Sequence, residues 1–147
     1  MWQKIYIIIS MVKKMIRYAT CNDIDFWISL DKHISIENLK KKFKDKECLV
    51  ILDNNELVGI LRFNYFWDNT PFVNMLYIKN EYQRKGYGRE LMLFFENEMK
   101  NNGYNEVMTS TQIDEEGKYF YLKLGYKHTG SLYLDNQAEE LILIKEL

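Results

Sequence analysis

The chain has 147 residues, 47% of them hydrophobic and 15% aromatic, which is enough to bury one substantial core in a single soluble domain. A formal net charge of −1 gives no global basic field to recruit DNA or any other nucleic acid, and one proline and seven glycines leave no linker between domains. Cys21 and Cys48 form no C-x-x-C pair, no string has metal-ligand spacing, and a reducing cytoplasm is the simplest home for two such thiols.

The first apolar stretch, within Trp2 to Val12, is too short to span a bilayer, so no membrane association is expected. It is followed by Lys13 and Lys14 rather than a small-residue cleavage site. Residues 1–14 therefore read as an N-terminal extension, and residues 15–147 as the domain. Ile16 to Thr20 reads as a strand. Asn22 to Leu30 and Ser35 to Phe43 read as two short helices, the second with apolar Ile36, Leu39 and Phe43 and a solvated Lys40-Lys41-Lys42 flank. Glu47 to Leu52 and Leu57 to Tyr65 are strands joined by the turn signal Asn54-Asn55. Cys48 opens the first of them and reads as a buried thiol. The apolar run Phe72 to Ile78 reads as a central strand.

Gln83-Arg84-Lys85-Gly86-Tyr87-Gly88 comes next and is the most informative string in the chain. It feeds a segment with Leu91, Met92, Phe95 and Met99 on one helical stripe. A Gly-rich turn before a helix start leaves several N–H groups without intrahelical partners, and the helix dipole adds partial positive charge there. Arg84, Lys85 and Arg89 add full charges, and Gly86 and Gly88 let the backbone approach a ligand closely. This is a cradle for a pyrophosphate. A Walker loop is absent, and the dinucleotide fingerprint fails because Leu91 stands where its third glycine is needed.

Glu106 to Thr111 then reads as a strand, and Gly117, Phe120, Tyr121 and Leu124 share a helical face that Gly125 stops. Tyr126 to Leu134 and Glu139 to Glu146 close the chain as a hairpin around Asp135-Asn136.

The spacing Q-x-x-G-x-G between strand and helix resembles the acyl-CoA loop of the GNAT superfamily of N-acetyltransferases, and Tyr121-Leu122-Lys123-Leu124-Gly125-Tyr126 is similar to the family's helix-then-strand signature. The resemblance implies an α/β (α+β mixed) fold, a twisted and mostly antiparallel sheet of about seven strands flanked by about four helices and splayed at the central strands. It implies acetyl-CoA as the acyl donor and a primary amine of a small molecule or peptide as acceptor. Leu76, Tyr77 and Ile78 would present free backbone groups to the pantetheine arm. Gln83, Arg84, Lys85, Gly86, Tyr87, Gly88 and Arg89 would hold the diphosphate, with Asp114 as a further cofactor neighbour. Tyr121 falls on the general-acid position, and an unperturbed phenol near pKa 10 can donate to a thiolate whose conjugate acid is near 8.5.

No carboxylate occupies the family's usual base positions, where Asn74 and Thr109 stand, so deprotonation through ordered water or binding of an already neutral amine is expected; His33, in the loop between the first two helices, could also reach the acceptor side. Tyr65, Phe66, Trp67 and Asp68 form an aromatic-acidic cluster on the acceptor side, able to stack on a ring or cradle a cationic amine. Two other readings stay open: a non-catalytic acyl-CoA-binding module, and a toxin of the family that acetylates aminoacyl-tRNA through the Lys40–Lys46 run. Exposed edge strands in the closing hairpin are compatible with a homodimer.

Overall fold

The computed structural model describes residues 13–147, so all of the expected extension except Lys13 and Lys14 lies outside the described residues. Strand β1 (Lys14–Tyr18) leads through a single 3-10 turn to helices α1 (Ile24–Leu30) and α2 (Ile36–Lys44). Strands β2 (Cys48–Asp53), β3 (Glu56–Phe66) and β4 (Thr70–Ile78) form a meander. Helix α3 (Tyr87–Asn101), strand β5 (Glu106–Gln112), helix α4 (Gly117–Lys123) and strands β6 (Lys127–Leu132) and β7 (Glu140–Glu146) complete the order. The seven strands make one open sheet in the order β1-β2-β3-β4-β5-β7-β6, antiparallel except where β4 meets β5. No helix among the described residues is long and apolar enough to cross a membrane.

Local chemistry accounts for most boundaries. Ser35 caps α2 by accepting from the Asn38 N–H at 3.2 Å. Asn54 and Asn55 both take positive φ, 47° and 67°, in the two-residue connection between β2 and β3. Gly103 and Gly125 end α3 and α4 with φ of 93° and 95°.

The sheet carries a core on each face. α3 covers one with Leu91, Met92, Phe95 and Met99, all buried as the helical stripe predicts, against Leu61, Phe63 and Val73. The α1–α2 pair covers the other with Trp27, Leu39 and Phe43 against Val50 and Ile60. Ile36, expected to join the apolar face of α2, is 48% exposed, because it sits in the first turn beyond the edge of the sheet-facing stripe. Cys48 is fully buried, and burial pushes its thiol up to about 12. Buried charge on this side is paired: Arg62 donates to Asp31 at 2.9 Å, and the Trp27 indole N–H donates to the same carboxylate oxygen at 3.2 Å.

The expected aromatic cluster divides. Tyr65 turns inward, its ring 5.5 Å from that of Tyr104, while Phe66 and Trp67 pack with tilted rings 4.7 Å apart on the outside of the β3–β4 turn, with Trp67 82% exposed. Trp67 and Asp68 both adopt positive φ there. Within the lysine run, Lys42 is drawn out of solvent, donating to Glu47 at 2.6 Å and to the Phe63 carbonyl at 2.8 Å, and Lys40, Lys41 and Lys44 stay exposed.

Candidate active site

The feature that makes a site is a fault in the sheet. Arg62 pairs with Met75 and Phe63 with Val73, so Asn74 is an extra residue in β4 with no partner on β3. The bulge changes which face the following side chains meet: Val73 packs on the α3 side, Met75 and Tyr77 on the α1–α2 side. It also ends the pairing with β5, which covers only Phe72–Met108 and Val73–Thr109. Among the described residues, no strand lies beside the β5-facing side of β4 from Asn74 to Ile78. Exposed Asn74 is held by donating to Asn64 at 2.7 Å.

Beyond the end of β4 the chain turns through Gln83–Gly86 into α3. Gly86 is the N-cap with φ of 91°, and the first backbone bond of the helix, Glu90 N–H to Gly86 carbonyl, measures 3.0 Å. The N–H groups of Tyr87, Gly88 and Arg89 therefore have no intrahelical acceptor, and no side chain among the described residues caps them. A Cβ added to Gly86 would meet nothing within 4 Å, so what this position demands is its left-handed backbone and the open space before it. Arg84 is left-handed too, with φ of 61°.

In front of this helix start lies a cavity of about 480 Å³. Leu76, Tyr77, Ile78, Gln83, Arg84, Gly86, Gly88 and Arg89 line it. Lys85 and Tyr87 are not among the lining residues: Lys85 Nζ lies 5.9 Å over the ring of Tyr82, and Tyr87 is buried in the core with its hydroxyl donating to Asp53 at 2.5 Å. Tyr87 can thus offer the cavity only its N–H. Gln83 spends its amide on the Ile78 carbonyl at 2.8 Å, so that carbonyl is already satisfied and the loop is tied to the strand end. Tyr82, Phe120, Lys123 and Leu124 complete the lining. Lys123 adds a third cation beside Arg84 and Arg89; its spacing of three from Phe120, one face of α4, was the available signal.

A second cavity of about 230 Å³ fills the split between β4 and β5, walled by Val73–Leu76, Thr109–Thr111, Glu115, Gly117 and Tyr121. Leu76 belongs to both cavities, which makes them neighbours along one strand. Gly117 allows the start of α4 to close on β5, since a Cβ there would stand 3.1 Å from Thr111 Oγ1. Tyr121 is buried edge-on between Phe120 and Tyr126, with ring centroids 5.1 and 5.5 Å away. Burial pushes its phenol up to about 12; Thr109 opposes the rise and Glu115 adds to it. Thr109 itself donates to the Val73 carbonyl at 3.1 Å, holding the two strands together at the last paired position. Asp114 is exposed and lines neither cavity. His33 is exposed as well, away from both, its backbone N–H donating to Asp31 at 3.0 Å.

Known proteins share this fold. The model of the acetyltransferase (GNAT) family matches residues 11–126. No curated protein matches the sequence. Among solved structures, Ard1 from Thermoplasma volcanium superposes with a TM-score of 0.78 at 19% identity, covering 91% of this chain and 97% of that one. The PaiA N-acetyltransferase from Thermoplasma acidophilum in complex with coenzyme A gives 0.72 at 21%, covering 92% and 100%. Arabidopsis thaliana Naa50 in complex with the bisubstrate analogue CoA-Ac-MVNAL gives 0.76 at 14%, with the same coverage of 92% and 100%. At these identities the likeness is one of fold.

Proposed function

The chain belongs to the GNAT acetyltransferase family, and we propose that it transfers the acetyl group of acetyl-CoA to a primary amine of a small molecule or peptide. The observation that carries this reading is the adjacency of two cavities along β4, one at a glycine-capped helix start and one in the split of the sheet.

The residues present fit the donor. Unpartnered N–H groups at Tyr87, Gly88 and Arg89, with Arg84, Arg89 and Lys123 around them, suit a diphosphate. Leu76, Ile78, Phe120 and Leu124 give the same cavity an apolar wall suited to a pantetheine arm, and the unpaired side of β4 suits its amides. In this reading a β4 N–H at the split receives the charge that develops on the thioester oxygen, a contribution of about 3–4 kcal/mol.

Tyr121 is the proton donor facing the leaving sulfur. With its pKa near 12, full transfer to a thiolate whose conjugate acid is near 8.5 is uphill by about 5 kcal/mol. Tyr121 therefore acts as a hydrogen-bond donor that keeps its proton until another replaces it, and not as a free acid. Its burial keeps it in that neutral form across the working pH range.

The acceptor approaches from the side of α1, α2 and the β3–β4 turn, where Phe66, Trp67 and Asp68 stand exposed. Two free thiols, Cys21 and Cys48, fit a reducing cytoplasm, and the open edge of β6 fits a homodimer. Calorimetry with coenzyme A, followed by thiol release from acetyl-CoA over a panel of amines and peptides, tests the reading. A protein that binds no coenzyme A, or binds it and releases no thiol with any amine, refutes it.

A further inference from the structure

A lysine-like primary amine at pH 7 is neutral in fewer than about one molecule in a thousand, so a proton must leave before nitrogen can attack a thioester. Residues 74 and 109, on the two strands that flank the split, are Asn and Thr. The split between β4 and β5 nevertheless contains a carboxylate, delivered from the loop that joins β5 to α4. We propose that Glu115 is the catalytic base, accepting the proton of the acceptor ammonium in the same cavity that holds Tyr121. This rests on the acetyl-transfer reading of the site.

Three observations support it. Glu115 lines the 230 Å³ cavity with Asn74, Leu76, Thr109, Thr111 and Tyr121. Glu115 is exposed at the mouth of the cleft, its Oε2 3.4 Å from the hydroxyl of buried Thr111 on β5, and the turn is fixed by the Glu115 N–H donating to the Gln112 carbonyl at 3.0 Å. Among the described residues no lysine, arginine or histidine pairs with Glu115. Its neighbour Glu116 lies 3.9 Å from Arg84, and the acids Asp23, Asp31 and Glu96 are each paired with a cation. An unneutralised carboxylate in the cleft attracts an ammonium and then serves as the acceptor of its proton. The groups facing it are few: Tyr121 from α4, no charged residue from the β4 and β5 walls, and Asp114, Glu116 and Lys118 along its own segment, the last tied to the Ile113 carbonyl at 2.6 Å.

The protons balance. The ammonium gives one to Glu115, which releases it to solvent. The N–C bond forms as the C–S bond breaks and the electron pair leaves on sulfur. The second nitrogen-bound proton ends on that sulfur, with Tyr121 donating to it and regaining what it gives.

Glu115→Gln keeps size and polarity and removes only the base. The expected result is a fall of kcat/KM of a hundredfold or more near pH 7, shrinking steadily as pH rises toward the amine's own pKa. Coenzyme A affinity by calorimetry and the melting temperature should be unchanged, and Glu115→Asp should recover part of the rate. Wild-type activity in Glu115→Gln, a deficit constant across pH, or weakened coenzyme A binding each overturns the assignment, the last by making Glu115 a donor-binding residue. A wild-type protein that releases no thiol with any amine overturns the acetyl-transfer reading and the base together, whereas failure of the base alone leaves wild-type turnover intact.

Discussion

Gly86 and Gly103 stand at opposite ends of α3 and make a matched pair for testing the cradle. Their φ angles are 91° and 93°, and a Cβ added to either meets nothing within 4 Å. Alanine at each position therefore adds no clash and costs only the left-handed backbone, about 1–2 kcal/mol. For a domain of this size each kcal/mol lowers the melting temperature by about 2–4 °C, and the two variants should fall equally. Their effects on ligand binding should differ. Relaxation of Gly86 away from its left-handed angle turns the N–H groups at the start of α3, and loss of one hydrogen bond to a charged oxygen costs about 1.5–3 kcal/mol. That corresponds to coenzyme A binding about 10- to 150-fold weaker for Gly86→Ala, with no change for Gly103→Ala. Scanning calorimetry and isothermal titration measure the two quantities on the same samples. Equal coenzyme A affinities in the two variants would refute the placement of the diphosphate at this helix start. Parallel loss in both would show that affinity follows helix strain, not loop geometry.

Arg62→Met should cost about 3–5 kcal/mol in urea titrations at pH 7, because it strands the buried Asp31 carboxylate without its cation. Burial works to raise the pKa of Asp31, but Arg62, the His33 N–H and Trp27 outweigh it and hold the group below its usual value, as Arg17 and Thr20 do for Asp23. Both acids thus contribute stability that is present above about pH 4 and lost as pH falls through their lower folded values; acid titrations of wild type should show this loss. Tyr121 behaves oppositely: its phenol is held neutral up to about 12, so stability falls between about pH 10 and 12 as the unfolded chain releases a proton the folded one retains. Tyr121→Phe should remove one proton's share of that slope, about 3 kcal/mol in all, and should lower kcat about a hundredfold with coenzyme A affinity intact. Gly59→Ala should destabilise by about 1–3 kcal/mol in urea, since its Cβ would stand 2.9 Å from Ile51 Cγ2 and 3.2 Å from the Tyr77 carbonyl.

Sequence alone determined what local chemistry controls. The Asn54-Asn55 turn, the Ser35 cap, the apolar stripe of α3, the glycine before it and the Tyr121 helix ended by Gly125 are each encoded within a few residues, so their order and the glycine-led start of α3 were readable from the chain. Arrangements that depend on which distant residues pair were not. Only the tertiary structure revealed that Asn74 is a bulge, because a bulge exists only relative to the β3 residues that skip it. The same holds for β7 lying between β5 and β6, for Lys123 reaching the cradle, and for Tyr87 turning to Asp53. Glu115 is the sharpest case: Asp114-Glu115-Glu116 reads as three equivalent loop acids. Closure of α4 on β5, through Gly117 against Thr111, brings just one of them into the split between the strands.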